Sequence, residues 1–284
     1  MEFKKLSPEE QLALFAQPNA EEIMRQYVLH AKDFIFAAMR KSFKSDEANT
    51  AALMDFLNSP GNEVMQQIYE ILTLEEANDV FHKHGFFTDE ALVKMIEVFP
   101  KEVSKELLLG YCADCSVGEP TLLKVVETYP KEDIREILIT SKYMYNGVFK
   151  KILKIFSKPE VKDILIQIVE RDGLLSNGTE LEILGVFSRA DAVEIFKAAV
   201  KNVSYLSDET QLVILDLFPK EASKAFFMFA AENGETFMDE VINEIIDKFP
   251  KKDARDILQK YFAGENAQEV YDEDEMDYFL SRVS

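Results

Sequence analysis

The chain has 284 residues, 47% of them apolar, and a formal net charge of -20 from 52 acidic and 32 basic side chains. That balance argues against general nucleic-acid binding, because phosphate contacts need a positive footprint. Two cysteines exclude a disulfide framework and fit a reducing, cytoplasmic setting, and neither a signal-peptide run nor a membrane-length apolar stretch is found.

Read from its mostly polar start at Met1 to Gln11, the chain repeats itself. Large apolar anchors recur at Phe15, Phe43, Leu72, Phe99, Tyr129, Phe156, Phe187, Phe218 and Phe249. Five places after each anchor stands a small or β-branched residue, from Ala20 and Ala48 through Ser104, Ile134 and Val161 to Ala192, Ser223 and Ala254. The eighth and ninth places are apolar in every unit, as in Leu107-Leu108, Ile137-Leu138, Ile164-Leu165, Ile195-Phe196 and Ile257-Leu258. A near-fixed period of this length marks a stacked-repeat architecture.

Each unit reads as two short helices with a tight turn just after the anchor. Thr73 with Glu76, Ser157 with Glu160 and Ser188 with Asp191 place a capping side chain three residues before an acid, which is a helix-start signal. After Phe99, Tyr129, Phe218 and Phe249 the next residue is proline, which cannot continue the first helix and suits the start of the second. Between units, 171–178 and 231–235 carry the Gly and Asn of helix ends. The expected fold is therefore all-α: one domain of about nine helical hairpins over 1–264, each burying its apolar face on its neighbours. Residues 265–284 form an acidic C-terminal cap or tail, predicted as a capping helix from Asp274 to Val283 or as a segment that lies in a basic surface.

The run Phe249-Pro250-Lys251-Lys252-Asp253-Ala254-Arg255-Asp256-Ile257-Leu258 resembles the α-solenoid repeats of the HEAT and armadillo kind. The resemblance implies a right-handed superhelix that binds other proteins and implies no reaction.

Charge is uneven along the repeat. The second place after the anchor is Lys101, Lys131, Lys158, Arg189, Lys220 and Lys251 in consecutive units, and the sixth is Lys105, Arg135, Lys162, Val193, Lys224 and Arg255. One helical turn separates the two places, so they share a face. The seventh place is mostly acidic, with Glu106, Glu136, Asp163, Glu194 and Asp256. Two readings follow: a ladder of ion pairs between repeats, or a cationic groove for an acidic peptide.

Cys112-Ala113-Asp114-Cys115 is half of a zinc or redox motif, and His82 and His84 stand one period earlier, so these four residues are the candidate metal set, against a reading as partly buried thiols. No Gly-rich phosphate loop, Gly-x-Ser-x-Gly or His-Glu-x-x-His is present, so no catalytic residue and no cofactor is assigned. The sequence points to a non-catalytic scaffold, monomeric or weakly oligomeric, that binds a peptide or folded protein. The alternatives are a self-assembling structural solenoid, a HEAT-like enzyme or a zinc-binding protein.

Overall fold

The computed structural model describes residues 18, 22 and 89–284, apart from 100, 115, 116, 142, 203 and 204. The units anchored at Phe15, Phe43 and Leu72, with the Thr73 and Glu76 signal, lie outside the described residues. So does the polar start of the chain. Two compact units divide the protein, Met1–Ser141 and Lys142–Ser284. Among the described residues the protein is all-helical, save for two strands of two residues each.

The first unit shows α1 (Asp89–Val98), α2 (Lys101–Asp114), α3 (Glu119–Thr128) and α4 (Lys131–Thr140). Here α1 packs on α3 and α2 on α4, while α1 with α2 and α3 with α4 form hairpins. The second unit runs β1 (Tyr143–Met144), α5 (Asn146–Ile152), α6 (Lys158–Val169), β2 (Leu174–Leu175), α7 (Asn177–Val186), α8 (Arg189–Lys201), α9 (Asp208–Leu217) and α10 (Lys220–Glu232). It ends with α11 (Asp239–Lys248), α12 (Lys251–Phe262), α13 (Glu265–Val270) and α14 (Glu273–Arg282). Odd-numbered helices pack on the next odd-numbered helix from α5 to α11, and even-numbered on even-numbered from α6 to α12.

The turn after each anchor is built by two residues. The anchor N–H still closes the last helical turn, as in Tyr129 N to Val125 O, Phe187 N to Ile183 O and Phe249 N to Ile245 O. Its own backbone is then extended, with φ/ψ of -95°/157° at Tyr129 and -94°/153° at Phe249. The following residue, also extended, is the N-cap of the next helix: Pro130, Pro219 and Pro250, or Ser157 and Ser188. Proline thus sits one place before the first helical residue, and its ring forces the anchor before it out of the helical region. Ser157 forms a full capping box with Glu160, and the Ser188 hydroxyl accepts from Asp191 N at 3.2 Å.

The repeat columns are the core. From Leu107 to Leu258, no eighth- or ninth-place side chain of the described repeats is more than 2% exposed, and the six described anchors are buried. Where the anchor is Tyr129 instead of Phe, its hydroxyl shares a short hydrogen bond with fifth-place Ser104 of the preceding repeat. A buried phenol needs such a partner.

The strands depart from the purely helical expectation. Tyr143 pairs with Leu174 and Met144 with Leu175 in parallel, because successive inter-repeat loops run the same way side by side. Asp172, at φ 59°, turns the chain before β2, and Gly173 follows with no room for a side chain, since a Cβ there would meet the Ile168 carbonyl oxygen at 2.6 Å. At the far end α13 and α14 pack on α12. Phe279 stacks on Phe262 with ring centroids 6.2 Å apart, and Tyr271 meets both rings edge-on. Asp272 caps α14 in a capping box with Glu275, one residue ahead of the expected start.

Phe187→Ala is expected to cost about 3–5 kcal/mol by leaving a cavity between hairpins, whereas Tyr278→Ala, at an exposed position, shifts stability by less than about 0.5 kcal/mol. Urea unfolding followed by circular dichroism checks both; equal midpoints would remove the anchor column from the core.

Candidate functional site

The sixth-place lysines are the rungs of a ladder between even-numbered helices. Lys105 Nζ on α2 donates to Asp133 Oδ1 and pairs with Glu136 Oε2 on α4, both at 2.6 Å. Lys162 on α6 repeats this with Asp191 and Glu194 on α8, again both at 2.6 Å. Lys224 on α10 reaches Asp253 at 2.5 Å and Asp256 at 3.3 Å on α12. In each rung the acids are the fourth and seventh places of the next repeat. The bond to the fourth-place acid is the main reason each ammonium is held above the ordinary lysine range. Where the sixth place is Val193, the next repeat carries Ala222 and Ala225 at the facing places. Cation and acids are thus lost together.

The fourth-place acids Asp133, Asp191 and Asp253 were not singled out by the column analysis, which followed only the seventh place. Their signal was in the sequence: they recur 28 or 29 residues after the lysine that binds them.

The second-place cations do a different job. Lys101 Nζ donates to Thr128 O at 2.9 Å and Lys158 Nζ to Val186 O at 2.7 Å, each the final carbonyl of the next repeat's first helix. Lys251 donates to Ser284 O at 3.1 Å, two residues beyond the last residue of α14. A cation at a helix C-terminus satisfies orphan carbonyls and opposes the helix dipole. Lys131 and Arg135 also interact with neighbouring groups. Arg189, Lys220 and Arg255 make no hydrogen bond or ion pair with a described residue, and Arg189 and Lys220 are exposed. A cleft of about 370 Å³ lies over the Lys162 rung, lined also by Lys158, Pro159, Ile166 and Phe187. Of its two lysines, Lys162 is paired with Asp191 and Glu194 and Lys158 is bonded to Val186 O.

Odd-numbered helices are tied by a second set of pairs, Lys124 with Glu97 and Lys150 with Glu182, both at 2.8 Å, and Lys248 with Asp216. Of the candidate metal set, Cys112 is fully buried on α2, and Cys115, His82 and His84 lie outside the described residues. No cluster of His, Cys, Asp and Glu able to hold a metal ion occurs among the described residues, and no described helix is long and apolar enough to cross a membrane.

The least expected polar feature is a seam along the inter-repeat loops of the second unit. Ser176 N donates to Met144 O at 3.0 Å, and the buried Glu180 carboxylate accepts from Ser207 N at 3.0 Å and Ser207 Oγ at 2.7 Å. Glu235, 2% exposed, accepts from Leu206 N at 3.2 Å. Gln211 Nε2 bonds the carbonyls of Leu206 and Thr236, both at 3.1 Å, and lies 3.3 Å from Glu235 Oε1. Tyr261 and Tyr271 close the seam with hydroxyl bonds to Phe237 O. The loops 143–145, 174–176, 205–208 and 235–239 are therefore bonded in succession. Burial pushes the Glu235 carboxyl up to about 8, with the charges of Glu180 and Asp208 adding to the shift. Glu180 is raised too, chiefly by burial. Sequence reading missed both, because an acid in so acidic a chain carries no mark of its burial.

No protein-family model matches the chain, and comparison with curated proteins gives no match.

Folded Glu235 keeps its proton up to about pH 8, while an unfolded glutamate loses it near 4.3. The folded state therefore holds the extra proton between these values, and stability falls as pH rises through the window. Glu235→Gln should flatten that decline and raise the melting temperature at pH 8 while changing it little at pH 4. Thermal melts at pH 4, 6 and 8 test this; a parallel decline in parent and variant would place the pH dependence elsewhere.

Proposed function

We infer that the chain is a right-handed α-solenoid of the HEAT-like kind that serves as a non-catalytic scaffold for a protein partner. Two observations support the architecture: like helices pack on like within each unit, and the apolar columns continue through the units outside the described residues. The single observation that carries the binding role is the loop seam. It displays Leu174, Tyr205 and Met238 at 43%, 53% and 46% exposure, beside loop backbone hydrogen-bonded at Leu174–Leu175, Leu206 and Phe237. Large apolar side chains held rigid and open to water bind at low entropic cost. The bonded lysines favour the ladder over a continuous cationic groove, since a neutralised ammonium offers little to an acidic peptide. Arg189 and Lys220 remain as a smaller contact for such a peptide.

The test is quantitative affinity capture from an extract of the source cells, with three baits: parent, Leu174→Asp/Tyr205→Asp, and Arg189→Glu/Lys220→Glu. Proteins held by the parent and reduced at least fivefold by the loop variant support the scaffold reading. Loss with the arginine and lysine variant alone moves the site to the other edge. Recovery no different from bare resin for all three baits, with sedimentation showing chains of copies, would replace it with the self-assembling reading.

A further inference from the structure

The loop edge that carries the exposed apolar side chains is also rich in acids: Glu232 is paired with Lys260 at 3.2 Å, whereas Asp208, Glu209 and Glu240 have no ion pair with a described residue. In 170–180, 201–209 and 232–240 carboxylic side chains predominate, and Arg171 and Lys201 are the basic residues. Asp208, Glu209, Asp239 and Glu240 stand exposed in the first turns of α9 and α11, directly after Tyr205 and Met238. Behind them Glu180 is buried and bonded to the Ser207 N–H and hydroxyl, with no ion pair to a described basic residue, while Glu235, protonated up to about pH 8, adds no charge of its own. This contrasts with the even-helix ladder of the same unit, where Lys162 and Lys224 each answer two acids.

A second, independent observation is that two buried acceptors of the same seam lack a donor. Gln211 is 1% exposed, and its amide oxygen has no hydrogen-bond partner, its NH₂ being taken by the carbonyls of Leu206 and Thr236. Asn146 Oδ1, in the residue after Tyr145, is likewise without one. Buried acceptors are nearly always satisfied, and these two have no donor among the described residues.

We propose that this edge, from Leu174 to Glu240, binds an extended cationic segment of a partner protein, with lysine or arginine about every third residue and an apolar or aromatic residue between. Charge complementarity selects the cations, and Leu174, Tyr205 and Met238 select the apolar residues. The spacing follows from the repeat: neighbouring helices lie about 8–10 Å apart, and an extended chain covers about 10 Å in three residues. A segment of about seven residues crosses three loops. The proposal rests on the scaffold reading and adds the chemistry of the partner.

The probe is the fluorescein-labelled peptide Lys-Leu-Gly-Lys-Tyr-Gly-Lys, compared with its counterpart carrying Glu for Lys, by anisotropy at 150 mM salt. The parent is expected to bind the lysine peptide at least tenfold tighter. Asp208→Lys/Glu209→Lys/Glu240→Lys should abolish that preference, while the same reversal at exposed Glu102, Glu132 and Glu221, on other helices, leaves it within about twofold. Leu174→Ser/Tyr205→Ser should weaken binding at least threefold with the charge pattern intact, and it stands in should the triple variant fail to fold. Equal affinity for both peptides, or equal loss in both triple variants, overturns the proposal, the latter because it reports net charge alone. A triple variant that sediments as a smaller species yet binds the peptide unchanged would show the edge to be a contact between copies, and also overturns it. If the peptide fails but Leu174→Asp/Tyr205→Asp still loses proteins in affinity capture, the cationic chemistry is wrong and the scaffold reading stands.

Discussion

A hairpin of about 30 residues cannot bury both faces of its helices, and every other feature of this protein answers that constraint. Ile164 and Leu165 on one side of α6, or Phe226 and Phe227 on α10, are fully withdrawn from water only because the next hairpin lies against them. The turn serves the same end. An extended anchor followed by an extended cap returns the chain at a fixed angle, so the eighth and ninth places of each repeat arrive in the same register.

Within that frame the ion pairs are better understood as register marks than as a source of stability. Partly exposed pairs contribute little net free energy. Yet a lysine that meets acids three residues apart on the next helix fits one alignment of the two helices, and a slip of one residue would leave Lys162 facing apolar residues and Lys224 facing apolar or like-charged ones. The simultaneous change to Val193, Ala222 and Ala225 removes cation and acids together at the equivalent places.

The second unit therefore carries two edges of different character. At the starts of the even-numbered helices, Lys158 and Lys251 are spent on backbone carbonyls and Lys162 and Lys224 on acids. At the loop seam the backbone is bonded by the buried Glu180 and Glu235 instead, and exposed acids and apolar side chains stand beside them. Burying Glu180 and Glu235 costs stability near neutral pH, a cost typical of places where binding competes with folding.

The helices, their turns and the positions of the apolar columns were legible in the sequence because they follow patterns three to nine residues long that recur with the period. Ser157 with Glu160, Ser188 with Asp191 and the anchor with its fifth, eighth and ninth places are all local patterns. The acid and base columns were legible too, but not which lysine would bond which group. Lys101 and Lys105 stand one turn apart on α2, and one caps a carbonyl while the other pairs with Asp133 and Glu136. Only packing between helices decides that. The parallel pairing of Tyr143 with Leu174, the tyrosine hydroxyls on Phe237 O and the burial of Glu180 and Glu235 join residues 24 to 34 apart. Composition and period are silent at that range, because whether a carboxylate keeps or loses its water is set by what the neighbouring repeat lays over it.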